Sequence, residues 1–145
     1  MSLDPEQLVG SWDLVSFEVE LPGGERVFPM GEDARGRLMY GADGRMSATL
    51  SEASRAHLST PRLEAYAKAP AAEKVEAFDS FLAYVGRFTI DGTAVVHHVE
   101  LASVPNIVGA QQRREATLDQ GLLTLRYAVT SSRGTRTNTL RWTRP

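Results

Sequence analysis

The chain has 145 residues, 42% hydrophobic and 23% charged, with a formal net charge of −2 at neutral pH and no cysteine. Residues 1–145 therefore read as a single domain, long enough to bury an ordinary core without disulfide or metal. The missing cysteines exclude thiol catalysis and cysteine–zinc sites, and scattered basic residues argue against a nucleic-acid footprint.

No stretch approaches the ~18 apolar residues that span a bilayer. The opening MSLDPEQLVG lacks the basic-then-apolar pattern of a secretory signal. A cytoplasmic protein without membrane or nucleic-acid partners is the expectation.

The first element in chain order is a long strand over Leu8 to Glu20, ended by Pro22-Gly23-Gly24. Along it Val15, Phe17 and Val19 share one face and Trp12 and Leu14 the other. That arrangement implies an apolar outer patch, available to a partner copy or to another part of the chain. Strands at Gly36–Gly41 and Arg45–Leu50 flank Ala42-Asp43-Gly44 as a hairpin. From Ser51 the pattern changes to a helical insert, about 51–83. Thr60-Pro61 reads as a cap followed by a proline at the first helical position. Pro70 then opens a second helix, PAAEKVEAFDSFLAYV, whose Val75, Phe78, Leu82 and Val85 recur at helical spacing and predict an inward face. The insert is positioned either as a lid over one barrel mouth or as a cover for the flank through Phe78 and Phe81.

The most informative stretch follows, from Tyr84 to Arg114. Two alternating strands meet at Asp91-Gly92, a strong hairpin signal, and a Pro105-Asn106 turn leads to a third strand opening on Gln112 and Arg114. Further hairpins fall at Asp119-Gln120-Gly121 and Ser132-Arg133-Gly134, and Thr135 to Arg144 is the last strand. About eight strands, with the insert between the third and fourth, predict an all-β fold: an eight-stranded antiparallel up-and-down barrel.

Leu8-Val9-Gly10-Ser11-Trp12 resembles the glycine-x-tryptophan opening strand of lipocalins and other calycin barrels. Gly36 to Tyr40, Asp43 to Met46, His97 to Glu100, Pro105-Asn106 with Gly109, and Leu140-Arg141-Trp142 extend the match. Together these segments, covering about Leu8 to Arg144, resemble the bacterial and fungal lipocalin-like domain family. The resemblance implies a small barrel with a cavity. It also implies an arginine from the final strand, Arg141 or Arg144, packed over Trp12. Trp12 would plug the closed end, its indole N–H needing a partner.

His97 and His98 are adjacent, so on a strand they face opposite ways and cannot share one metal ion. Val95, Val99 and Leu101 share the His97 face, which parity favours as interior. His98 and Glu100 share the other face, near Arg114. Inside the barrel, that set would anchor a ligand, and outside it would be a solvated cluster. Tyr40, Met46, Tyr84 and Tyr127 suit cavity walls. The expected ligand-binding residues are thus His98, Glu100, Gln112 and Arg114, with Tyr40, Met46 and Tyr127 as walls. No cofactor or metal is implied.

No Gly-x-Ser-x-Gly elbow and no phosphate-binding glycine loop occurs. The reading that follows is a barrel binding a small hydrophobic or amphiphilic molecule, as a monomer or a homodimer. The alternative is a cofactor-free isomerase or cyclase, in which the barrel positions a reactive substrate beside a single acid or base such as His98 with Glu100.

Overall fold

The computed structural model describes residues 2–145. The Asp4 carboxylate accepts from the Glu6 N–H, and the Gln7 side chain accepts from the Asp4 N–H. This capping box starts a one-turn helix, α1 (Pro5–Leu8), that carries a fully buried Leu8 onto one end of the barrel. The first strand therefore begins two residues later than the sequence suggests. Leu8 belongs to the helix.

Eight long strands follow: β1 (Gly10–Glu20), β3 (Arg35–Tyr40), β4 (Arg45–Ser51), β5 (Phe81–Asp91), β6 (Ala94–Ala102), β7 (Gln111–Asp119), β8 (Leu122–Ser131) and β9 (Gly134–Thr143). A two-residue strand, β2 (Arg26–Val27), pairs only with the end of β1. Each long strand runs antiparallel to the next, and β9 returns to β1, so the sheet closes on itself. The barrel is the expected eight-stranded, antiparallel, up-and-down one. Closure leaves no long unpaired edge.

The β3–β4, β5–β6 and β7–β8 turns and both chain termini lie at one end. That end is plugged. The Trp12 indole donates to the Leu8 carbonyl at 2.8 Å, and the Arg144 guanidinium stacks 3.9 Å from the Trp12 ring. Arg144, not Arg141, takes the stacking position; Arg141 instead pairs with Glu18 at 2.8 Å. Gly10 holds a positive φ of 125°, and a Cβ there would meet the Arg144 guanidinium. The glycine of the opening motif thus makes room for the arginine of the last strand.

Two β-bulges change which side chains face inward. In β1 the pairing with β9 slips between Leu14 and Ser16, leaving Val15 as the extra residue. Trp12 before the slip and Phe17 and Val19 after it all point into the core, while Val15 is exposed. The outer patch expected from simple alternation does not form. In β6 the slip omits Glu100, so Leu101 turns outward, 68% exposed, while Val95, His97 and Val99 stay buried. Gly86 sits opposite this bulge, and a Cβ there would run into the His98 carbonyl.

The insert forms α2 (Arg62–Lys68) and α3 (Ala71–Asp79). Pro61 and Pro70 occupy the N-cap positions themselves, and neither helix has a side-chain cap, so Thr60 stands one residue too early to cap α2. The second helix stops at Ser80, and Phe81 to Val85 belong to β5, paired with β4. Their helical spacing with Val75 and Phe78 is coincidental. Val75 and Phe78 are at least half exposed, and α3 contributes no buried residue. The expected inward helical face is absent because strand pairing claims Leu82 and Val85. Among the described residues no helix is long and apolar enough to cross a membrane.

Candidate ligand-binding site

The barrel interior is not filled. Above the plug lies a cavity of about 230 Å³, a little smaller than the usual range for small-molecule sites. Leu38, Leu50, Leu125 and Leu140 supply much of its apolar wall. At the mouth stand Leu82, where the chain re-enters from the insert, and Val104 and Ile107 from the β6–β7 connection, which contains a short 3-10 turn (Pro105–Ile107). No residue of α2 or α3 lines the cavity. The insert leaves from the open end but folds on itself: Arg55 donates to the Ser80 hydroxyl and the Ala77 carbonyl and stacks on Phe81.

A polar column runs from the plugged end into this cavity. His97 is 2% exposed and holds a tyrosine at each ring nitrogen. Nε2 meets the Tyr40 hydroxyl at 2.6 Å, and Nδ1 meets the Tyr84 hydroxyl at 2.7 Å. The alternation of β6 puts His97 inward between Val95 and Val99. Register brings it beside Phe88 of β5 and Gln112 of β7.

The hydrogen-bond partners of Tyr40 fix the His97 tautomer. Tyr40 is buried, and among the described residues its hydroxyl has no partner but Nε2. Were Nε2 protonated, the Tyr40 hydrogen would be stranded in apolar surroundings, an unfavourable arrangement. Tyr40 therefore donates to Nε2, and Nδ1–H donates to the Tyr84 oxygen. The Tyr84 O–H remains free to donate into the cavity that Tyr84 lines.

Burial drives His97 down to about 3, with the Arg114 and His98 charges pushing the same way, so the imidazole is neutral. Burial also raises Tyr84 to about 12, against the opposing pull of Arg114, and places Tyr40 well above the ordinary phenol range. Neither His97 nor Tyr84 changes charge near neutral pH.

Arg114 faces the same cavity from β7. Its guanidinium stacks 3.6 Å from the centre of the Tyr127 ring and donates to the Gln112 side-chain oxygen at 3.0 Å and to the Arg113 carbonyl. These partners are all neutral, and among the described residues no carboxylate lines the cavity. Trp142 also lines the cavity, near Leu14 and Leu123 towards the plugged end. It is 2% exposed, and its indole N–H is a buried polar atom without a partner among the described residues.

The residues expected from sequence fall into three places. Gln112, Arg114 and Tyr127 are together in the cavity wall. Tyr40 and Met46 are buried nearer the plugged end and do not line the cavity, although Tyr40 supports it through His97. His98 and Glu100 are on the outside, contrary to the expectation that placed them at the site. His98 meets the Thr89 hydroxyl at 2.8 Å, and Glu100 pairs with Arg87. The reason is parity: a strand that buries His97 must turn His98 out. His97 and Trp142 are the polar lining residues missing from the expected set. Apolar neighbours at Val95 and Val99 were the available signal for the first.

A family model described as a lipocalin-like domain matches residues 9–145. Comparison with curated proteins and with solved structures gave no match.

Proposed function

The chain belongs to the lipocalin-like domain family, and we propose that its barrel binds a small, partly apolar molecule in the cavity above the Trp12 plug. The observation that carries this reading is the combination, in one cavity, of leucine-rich walls with a few polar groups. Tyr84, Gln112, Arg114 and Trp142 supply those groups. Apolar walls give affinity, and a few placed donors give orientation.

The isomerase or cyclase alternative rests on positioning beside a single acid or base, for which sequence offered His98 with Glu100. His97 is neutral, but both its nitrogens are occupied, and among the described residues no carboxylate lines the cavity. His98 and Glu100 face away from it. The wall thus favours binding over proton-transfer chemistry.

Native mass spectrometry of the purified chain, followed by denaturing extraction, tests the reading. A discrete co-purifying mass is expected. Ala48 lines the cavity, and Ala48→Phe should fill part of it and abolish the adduct while the protein stays folded. An adduct that persists in folded Ala48→Phe would place the ligand elsewhere and overturn the cavity as its site.

A further inference from the structure

From the polar groups left over on the cavity wall, we infer that the ligand is a small monocarboxylate whose charged group sits between Arg114 and Tyr84. The inference rests on the proposed binding function of the cavity and specifies its chemistry.

The spare hydrogen-bonding capacity on the wall is predominantly donor capacity. The Tyr84 O–H is free once Tyr40 and His97 have paired as described. The Trp142 N–H has no partner among the described residues. The Arg114 guanidinium has donors beyond those given to Gln112 and Arg113. The obvious acceptor, the Gln112 side-chain oxygen, is already taken by Arg114. A ligand that satisfies such a wall must be rich in acceptors. A carboxylate offers two oxygens and about four lone-pair directions, and it matches the planar fork of a guanidinium.

Charge points the same way. The guanidinium is a permanent cation held against an apolar cavity, and its partners here are neutral. Burying a ligand over it without compensation leaves a desolvated charge, which is costly. One guanidinium balances one negative charge, so a monoanion fits better than a dianion. His97 cannot contribute a second positive charge, since both of its nitrogens are committed to tyrosines and burial disfavours its protonated form.

Size completes the class. A cavity of about 230 Å³ holds roughly eight water-sized groups at ~30 Å³ each. A short fatty acid or an arylalkanoic acid meets that limit. A long acyl chain does not, unless it leaves through the mouth between Leu82 and Ile107.

Titration calorimetry on the full chain tests the proposal with phenylacetate and hexanoate, each compared with its primary amide and methyl ester. The acids are expected to bind at least about tenfold more tightly than their neutral counterparts, the size of effect that charge-assisted hydrogen bonds give. In Arg114→Met the preference should fall to within about twofold, while binding of the amides and esters persists. In Tyr84→Phe, which removes only the hydroxyl, acid affinity should drop several-fold with the neutral probes unchanged. Acids and neutral probes binding equally well would overturn the carboxylate assignment and leave the cavity reading intact. Binding by none of the six probes would also overturn it, and the Ala48→Phe adduct experiment would then decide the cavity reading separately. The comparison of acid with amide needs only the unaltered protein, so it stands even if a variant fails to fold.

Discussion

The Trp12 plug and the wall of the cavity above it each carry buried polar groups, and the two are finished to different degrees. At the plugged end the Trp12 N–H donates to Leu8, and Arg144 stacks on the Trp12 ring. Arg144 also donates to the carbonyls of Val9 and Gln7, both at 2.9 Å. The Trp12 N–H and the Arg144 guanidinium thus both have protein partners. On the cavity wall, the Trp142 N–H has none among the described residues, and Arg114 rests on the neutral Tyr127 and Gln112. The same residue types serve stability when the protein completes their hydrogen bonds. They serve recognition when it leaves the last bond to a ligand.

The largest expected effect tests the finished end. Trp12→Ala removes a large buried ring together with its bond to Leu8 and should destabilise the protein by roughly 3–5 kcal/mol in urea unfolding. A loss below about 1 kcal/mol would mean that the plug is not what closes the barrel.

The second effect concerns the Tyr40–His97–Tyr84 column between the plug and the cavity. His97 lies near 3 in the folded chain against an ordinary value of 6.5. As pH falls below 6.5 the unfolded chain takes up a proton that the folded chain refuses. Stability is therefore greatest above pH 6.5 and declines towards pH 3. From pH 6.5 to 4.5 the loss should be about 2–3 kcal/mol. The Arg141 hydrogen bond and charge lower Glu18, and bonds from Ser59 lower Glu73, so both carboxylates contribute chiefly below that window. Urea unfolding at a series of pH values checks this, with His97→Gln expected to flatten the slope whatever its overall stability. An unchanged slope in that variant would remove His97 as the cause.

A smaller effect compares the two tryptophans directly. Trp12→Phe and Trp142→Phe delete the same ring atoms, but only the first leaves a buried carbonyl without its donor. Trp12→Phe should therefore cost about 1–2 kcal/mol more than Trp142→Phe. Equal costs would show that the Trp142 N–H is as well satisfied as that of Trp12, and the asymmetry between plug and cavity wall would disappear.

The turns were legible in the sequence because Asp-Gly and similar pairs carry their own backbone chemistry. Strand count, closure and the position of the insert followed from them. The bulges were not legible. One extra residue at Val15 and another at Glu100 leave no compositional mark, yet each reverses the alternation beyond it, burying Phe17 and Val19 and exposing Leu101. The end of α3 is illegible for a related reason, since Phe78, Leu82 and Val85 satisfy helical spacing although β4 pairing claims the last two. At the site, Gln112 and Arg114 are legible from the opening of β7, and Tyr127 as an amphipathic aromatic suited to a cavity wall. Trp142 was visible only as part of the family resemblance, and its unpaired N–H is a property of packing that no sequence pattern records.

The smallest expected effect is a null one, and it separates the two faces of β6. His98→Ala deletes an outward imidazole whose partner is the Thr89 hydroxyl, and Glu100→Gln breaks a pair with Arg87 in which both side chains are more than half exposed. Exposed pairs of this kind contribute between 0 and 1 kcal/mol. Each variant should unfold within about 0.5 kcal/mol of the unaltered chain, and each should retain any co-purifying molecule in native mass spectrometry. The outer face lacks what the inner one has: a cavity, neutral surroundings and donors awaiting an acceptor. If His98→Ala lost the adduct while Arg114→Met kept it, recognition would lie on the outside of the barrel, and the contrast between plug and cavity wall would concern stability alone.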